Sequence, residues 1–330
     1  MSERPKVLVT GASGLLGGTM MEHLAGENVV GTTRNTETEI AQRLGLKQLN
    51  TENLEDTLRF INDNLPEKIF HFSGMSKPRE VENSPETSRI ANVDSTQNLL
   101  AAIKNARKLH PDYDPVVIVV GSVEQFGDPK NENTIINEKT ERNPVNAYGK
   151  QKEEMSKEFL RLAKEYDIRG YVMIQGQSTG VSPSGEISQK EGFLIPSIAR
   201  QIAQLELSGA RKGVIETGDI SHKRDIVDIN DAIKAYIALS KTTPAIGEYL
   251  VCSGRSIRLL DILNFMIEMS TIEITHQLDI SRGFGKAVDR SYTPNKIVKA
   301  TGWRPETPPQ KSSADVLDFQ RRELKKDRVR

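Results

Sequence analysis

A single cysteine in 330 residues, Cys252, leaves no partner for an intramolecular disulfide and no basis for a cysteine-based zinc cluster. The reducing cytoplasm is the expected compartment. Cys252 closes the strand-like run Glu248–Cys252 and reads as a buried structural thiol rather than a nucleophile. Neither sign of charge is in excess, since 45 Lys and Arg oppose 45 Asp and Glu. Bulk affinity for nucleic acid or an anionic membrane surface shows as a basic surplus, so neither partner is expected. Long apolar runs are missing too. The longest aliphatic stretch, Val116 to Val120, falls far short of the ~20 residues of a membrane helix. The charged start (Glu3, Arg4, Lys6) does not read as a signal peptide. Five scattered histidines (His23, His71, His110, His222, His276) show no ligand spacing, and no metal is expected.

What remains is an ordinary globular composition, in a chain long enough for two domains and a sizeable core. Val7–Val9, Val29–Val30, Ile69–Phe72, Val116–Val120 and Tyr171–Ile174 read as buried strands. Helix-like segments separate them, such as Met155, Phe159, Leu162 and Tyr166 at spacings 4, 3, 4. Alternating strands and helices predict an α/β fold, a Rossmann-like doubly wound parallel sheet. After residue 175 the rhythm changes. Ser178–Gly185 reads as a loop, Gly192–Gly209 contains a helix, and Val227–Leu239 is a helix returning to the main domain. Residues 1–175 plus about 223–245 are expected to form the main, Rossmann-like domain. About 176–222 and 246–330 are expected to form a smaller C-terminal α/β substrate domain. The charged tail from Asp315 onward reads as a helix with a solvated face.

Gly11, Gly14 and Gly17 follow the first strand directly and open a helix carrying Leu16, Met20 and Leu24. Such glycines allow a tight turn, close approach of backbone to a pyrophosphate, and close helix–sheet packing. The helix N-terminus offers free N–H groups to the phosphates. An NAD site places an acid at the end of the second strand. That segment, Val30-Gly-Thr-Thr-Arg-Asn35, has none, and Arg34 suits a 2′-phosphate. NADP(H) is therefore expected, with NAD(H) the alternative.

Tyr148 and Lys152 lie one helical turn apart on one face. The ammonium is expected to lower the phenol's pKa and make Tyr148 a usable acid or base. A second Tyr/Lys pair, Tyr292 and Lys296, has Pro294 inside it. Tyr148 has the better context: Asn146 is a plausible N-cap, and the fourth strand ends nearby in Gly121-Ser122-Val123-Glu124. Ligands of parallel sheets sit at strand C-termini, so Ser122 is expected in the same crevice.

With these motifs in view, the chain resembles the extended short-chain dehydrogenase/reductases that modify nucleotide sugars. The resemblance covers essentially the whole chain: the glycine loop, Asn92–Leu100, Gly121–Gly127, Tyr148-x-x-x-Lys152 and Arg224–Asp228. Val30–Asn35, Val251–Gly254 and Ala300–Pro305 are similar to GDP-4-keto-6-deoxymannose reductases and to GDP-mannose 4,6-dehydratases. The resemblance implies that Gly11, Ser13, Gly14, Leu15, Leu16 and Gly17 hold the cofactor, together with Arg34, Asn50, Ser73 and Gly74. It implies Tyr148 as proton donor, Ser122 as hydrogen-bond partner of the sugar oxygen, and Lys152 on the nicotinamide ribose. Glu124 stands where dehydratases keep a base. Ser76, Gln177, Arg224 and Arg282 would contact a nucleotide-sugar substrate, with Arg224 on the diphosphate. A homodimer is also implied.

Val123 offers no proton where dehydratases commonly have Asp or Ser, which favours a reductase over a dehydratase or an epimerase. A non-catalytic NADP(H) sensor is the rival from another class, and the intact Tyr148/Lys152 pair argues against it. The chain departs from the family pattern at Gln177, where an Asn is usual, and at Arg282-Gly-Phe-Gly-Lys286, where relatives carry an R-P-x-E-like stretch.

Overall fold

A computed structural model describes residues 5–131, 133–189, 192–242, 244–282 and 288–329. Its strands in chain order are β1 (Val7–Thr10), β2 (Val29–Thr33), β3 (Lys47–Gln48), β4 (Lys68–His71), β5 (Val116–Ser122), β6 (Ile135–Ile136) and β7 (Arg169–Gln175). There follow β8 (Gln177–Thr179), β9 (Lys212–Thr217), β10 (Lys223–Asp228), β11 (Gly247–Val251), β12 (Ser256–Arg258), β13 (Glu273–Leu278) and β14 (Ser291–Tyr292). The helices of the first half are α1 (Leu15–His23), α2 (Glu39–Arg43), α3 (Leu54–Asn64), α4 (Pro78–Asn83), α5 (Pro85–Arg89), α6 (Ser95–Leu109) and α7 (Ala147–Glu165). Those of the second are α8 (Leu194–Leu207), α9 (Ile229–Lys241), α10 (Leu259–Glu268), α11 (Asn295–Thr301) and α12 (Pro309–Val329).

Seven strands pair in the order β11-β7-β5-β4-β1-β2-β3, all parallel. Apolar residues alternate between the two faces because successive side chains of a strand point to opposite sides. Leu8, Val117, Val119, Val172 and Ile174 face α6 and α7 through Leu99, Ile103, Met155 and Phe159. Val7, Val9, Ile118, Tyr171 and Met173 face α1 and α9 through Met20, Ile233, Tyr236 and Leu239. Both faces are covered, which is why these strands read as continuous apolar runs. The chain winds outward from β1 to β3, then returns to β4 on the other side of β1. This reversal opens a crevice at the C-terminal ends of β1 and β4, the place where such sheets bind ligands. The fold is the Rossmann-like parallel α/β sheet expected.

A third apolar cluster joins α8, α10 and α12 with β9, β10 and β13, centred on Ile198, Ile202, Ile215, Leu263 and Val316. Here the structure corrects two expectations. Residues 247–251, expected with the smaller domain, form β11 at the edge of the main sheet, paired with β7 from Gly247↔Tyr171 to Val251↔Gln175. Ser178 and Thr179, expected in a loop, lie in β8, because β10 supplies a ladder partner (Val227↔Ser178, Asp228↔Thr179) that local turn propensity does not foresee. Cys252, just past β11, is fully buried, and burial pushes its thiol well above the usual range.

Candidate active site

The loop after β1 is shaped by contacts that only glycine permits. Gly11 has φ +63°, and a Cβ there would sit 2.6 Å from the Phe72 carbonyl carbon. At Gly17 a Cβ would fall 2.4 Å from the Gly11 carbonyl oxygen. The exposed Gly14 is the N-cap of α1 and contributes no side-chain capping bond, so the first-turn N–H groups face the crevice uncapped. A backbone cradle at an uncapped helix start fits a pyrophosphate. Half-buried Leu15 and Leu16 open the helix, and Leu16 packs on the sheet. Ser13 Oγ lies 3.0 Å from Thr33 Oγ1, tying the loop to the end of β2.

Across the crevice, the Ser73 N–H donates to Thr10 Oγ1 (3.3 Å), and Gly74 has φ +142° with space for a Cβ denied by Asn92 Oδ1 at 2.5 Å. Arg34 is exposed at the end of β2 and ion-paired to Glu52 at 2.5 Å. Glu52 itself donates its N–H to Asn50 Oδ1 at 3.2 Å. The acid absent from the segment after β2 is thus brought there from beyond β3.

Ser122 ends β5 and caps a short helical turn over Val123–Gln125. Its hydroxyl accepts from the Glu124 N–H (3.2 Å) while Gln125 Oε1 accepts from the Ser122 N–H (2.7 Å). Asn146 is the N-cap of α7, as expected, accepting from the Gly149 N–H at 2.7 Å. Gly149 lets α7 press on the turn, since a Cβ there would lie 2.4 Å from the Glu124 carbonyl oxygen. That contact sets half-buried Tyr148 beside Ser122 and Glu124. One turn on, the Lys152 ammonium donates to the Val120 carbonyl (2.9 Å), 5.9 Å from the Tyr148 ring centre.

The expected depression of the phenol by Lys152 is not met. Burial pushes Tyr148 up to about 12; hydrogen bonding to Ser122 opposes this and the Glu124 charge adds to it. Burial also pulls the Lys152 ammonium down to about 8. Desolvation dominates at both groups, because the charged form of each loses water in the crevice. At neutral pH the phenol keeps its proton.

Glu124 has both oxygens engaged: Oε1 with Arg290 Nη1 at 2.9 Å, Oε2 with Asn146 Nδ2 at 3.3 Å. Half-buried Arg224, on β10, donates to the backbone carbonyls of Lys223 (2.9 Å) and Val288 (2.5 Å). Burial and the neighbouring Arg290 lower its pKa, and among the described residues it has no carboxylate partner. Ser122, Glu124, Tyr148, Lys152 and Arg224 are therefore gathered at one end of the sheet. Arg282 is not with them. It is exposed and ion-paired to Glu216 and Asp279, and residues 283–286 of its motif lie outside the described residues. Ser76 and Gln177 are exposed on loop and edge strand.

Sequence reasoning did not single out four buried polar residues of this region. Asn92 sits on a π-helical turn (Ile90–Asp94), accepts from the Met75 N–H (2.8 Å) and donates to Gln151 Oε1 (3.1 Å). Gln151 in turn donates to Ser88 Oγ at 2.9 Å, locking α7 to the segment after β4. His71 lies against Thr10 Oγ1 at 2.8 Å. The fourth is Arg290, just before β14. Asn92 and Gln151 stand inside or beside motifs already recognised, whereas nothing local marks His71 or Arg290.

Over 315 residues, 94% of this chain and 96% of the relative, the sequence is 26% identical to GDP-6-deoxy-D-mannose reductase of Pseudomonas aeruginosa. It is also 26% identical over 267 residues to UDP-glucose 4-epimerase of Lactobacillus helveticus, with 77% of each chain covered. Among solved structures, RMD from Pseudomonas aeruginosa complexed with NADPH matches with a TM-score of 0.80 at 22% identity, covering 97% of this chain and 98% of that one. UDP-glucose-4-epimerase from Stenotrophomonas maltophila, with bound NAD and formylated UDP-arabinopyranose, matches with a TM-score of 0.83 at 16% identity, covering 98% and 100%. The pattern of one family matches residues 7–252, and by that match the chain belongs to the NAD dependent epimerase/dehydratase family.

Proposed function

We propose that the protein reduces a nucleotide-linked 4-keto-6-deoxy sugar, of the GDP-4-keto-6-deoxymannose kind, with NADPH. The observation that carries reduction over dehydration is the state of Glu124, whose two carboxylate oxygens are taken by Arg290 and Asn146. Dehydration needs a free base beside the ketone, and the buried apolar Val123 supplies no second proton carrier. A phenol held up to about 12 is suited to giving a proton to the sugar oxygen. The likeness to a GDP-6-deoxy-D-mannose reductase along 94% of this chain supports the same reading.

When bound, the nicotinamide supplies hydride. The chain's own residues do the rest. The Gly11–Gly17 loop and the start of α1 hold the pyrophosphate, with Ser13, Leu15 and Leu16 closing over it; Asn50, Ser73 and Gly74 line the adenosine and ribose side. Arg34 meets a 2′-phosphate, exchanging Glu52 for it, and Glu52 could instead accept from a ribose hydroxyl, which makes NADH the second cofactor to test. Lys152 orients the nicotinamide ribose. Ser122 donates to the sugar oxygen and stabilises the charge that develops there. Arg224 clamps the diphosphate, for which a guanidinium is well shaped. Ser76 and Gln177 complete the sugar-nucleotide side, whereas Arg282, exposed and ion-paired to Glu216 and Asp279, is left out of it. In this reading the parts packed on the main sheet bind cofactor, and the α8–α10–α12 cluster carries the substrate half.

The test mixes the protein with NADPH and a panel of nucleotide-linked sugars. NADPH consumption only with a 4-keto sugar is expected. Conversion of an unoxidised nucleotide sugar without net cofactor use would sink the proposal in favour of a dehydratase or epimerase. Tyr148→Phe should retain NADPH binding and lose turnover by about 10²-fold or more. Unchanged activity in that variant would remove Tyr148 from the chemistry.

A further inference from the structure

One buried cation of the crevice belongs to no recognised motif. Arg290 is 6% exposed. Its Nη1 lies 2.9 Å from Glu124 Oε1 and its Nη2 2.9 Å from Asp128 Oδ1. The backbone fixes it from both sides: its N–H donates to the Lys223 carbonyl (3.3 Å), and its own carbonyl accepts from Ser256 Oγ (3.1 Å). Burying a guanidinium is costly unless it is fully paired, and breaking one partner leaves the other charge stranded. Arg290 and Glu124 are therefore a fixed pair rather than a surface contact.

A ketone held by Ser122 and Tyr148 creates a hazard at this spot. The hydrogen bonds that prepare its oxygen for hydride also stabilise an enolate, and so acidify the C–H bonds on the adjoining carbons. Glu124 is the carboxylate whose charge Tyr148 feels. Left free, it would be a base beside those bonds. We infer that Arg290 is a positioning residue that sets the reaction type, by holding Glu124 in an ion pair and so keeping it from removing a proton beside the substrate ketone. The inference rests on the proposed reduction of a nucleotide-linked ketone.

The suppressed step is a simple proton exchange. Glu124 would take the proton from the adjoining carbon, and the C–H electron pair would become the C=C bond of an enol. The carbonyl π pair would go to oxygen, which would take the Tyr148 proton. Reversal returns the ketone with a solvent-derived hydrogen on carbon, and nothing is oxidised or reduced.

The experiment incubates the enzyme in D2O with NADP+, which has no hydride to give, and GDP-4-keto-6-deoxymannose, and follows mass gain of the sugar. NADPH oxidation with the same ketone is measured alongside. Wild type and Arg290→Lys, which keeps the charge, should exchange slowly. Arg290→Met and Arg290→Gln should exchange about 10²-fold faster, the scale of one positioned base, and Arg290→Met/Glu124→Gln should return to the wild-type rate. A purely structural Arg290 would lower all activities together and leave exchange slow; that result overturns the inference, provided one uncharged variant keeps its near-UV circular dichroism and binds NADPH. Fast exchange in the double variant also overturns it, since the base would then be another group. Slow exchange in the uncharged variants with intact wild-type NADPH oxidation sinks this inference alone, whereas absence of that oxidation sinks the reductase reading and the inference with it.

Discussion

His71 shows how a single side chain can tie the crevice to the stability of the sheet. It ends β4, is 3% exposed, and lies 2.8 Å from Thr10 Oγ1 and 3.4 Å from Ser95 Oγ. Burial, and to a lesser degree the Lys152 charge, lower its pKa from 6.5 to about 3. The folded state thus keeps the ring neutral while the unfolded chain protonates below pH 6.5. Between these values the unfolded state binds more protons, so stability is complete above pH 6.5 and is lost as pH falls toward 3. The slope is about 1.4 kcal/mol per pH unit, or about 2 kcal/mol between pH 7 and pH 5. His71→Gln keeps a polar group at the site without the titration. Urea midpoints of wild type and variant at the two pH values should show that this part of the acid sensitivity disappears in the variant; equal pH slopes would refute the assignment.

At the scale of the element, α7 carries Tyr148 and Lys152 of the candidate site. Its register is legible in the sequence because each determinant is local: the Asn146 cap, the apolar spacing of Met155, Phe159 and Leu162, and the turn separating Tyr148 from Lys152. What could not be read is how close the helix comes to β5, which depends on Gly149 and on a carbonyl 25 residues earlier in the chain. The electrostatic outcome was hidden for the same reason. A helical spacing shows that Tyr148 and Lys152 are neighbours, but the burial that dominates both pKa values is a tertiary property. Gly149→Ala separates the two influences. Helix propensity favours alanine by ~1 kcal/mol, yet the new Cβ would lie 2.4 Å from a backbone oxygen that cannot yield without moving the 123–125 turn. The contact should win, with a net loss of about 1–3 kcal/mol and a larger proportional fall in kcat than in cofactor affinity. Thermal unfolding and steady-state kinetics beside Lys150→Ala, an exposed neighbour, check this; a stabilised, fully active Gly149→Ala protein would show that the helix has room to spare.

For the molecule as a whole, the long buried strands and the glycine loop announce the sheet and its switch point, because apolar periodicity and turn chemistry are written locally. The second half is less legible. Its sheets are built from strands of two to six residues, among them β8, β12 and β14, too short to show a period and defined only by partners far away in sequence. The same holds for β11, which follows α8, β9 and β10 in sequence yet closes the edge of the main sheet. The third apolar cluster shares no residue with the two that cover the sheet. If that cluster carries the substrate half, damage to it should be felt mainly by the sugar nucleotide. Ile202 is fully buried on α8 within it, and truncation to alanine should cost about 2–5 kcal/mol. We expect Ile202→Ala to raise KM for the keto-sugar several-fold while the Kd for NADPH, read by fluorescence at a temperature where the variant stays folded, is unchanged. A parallel loss of NADPH affinity would mean that the two halves stand or fall as one cooperative unit.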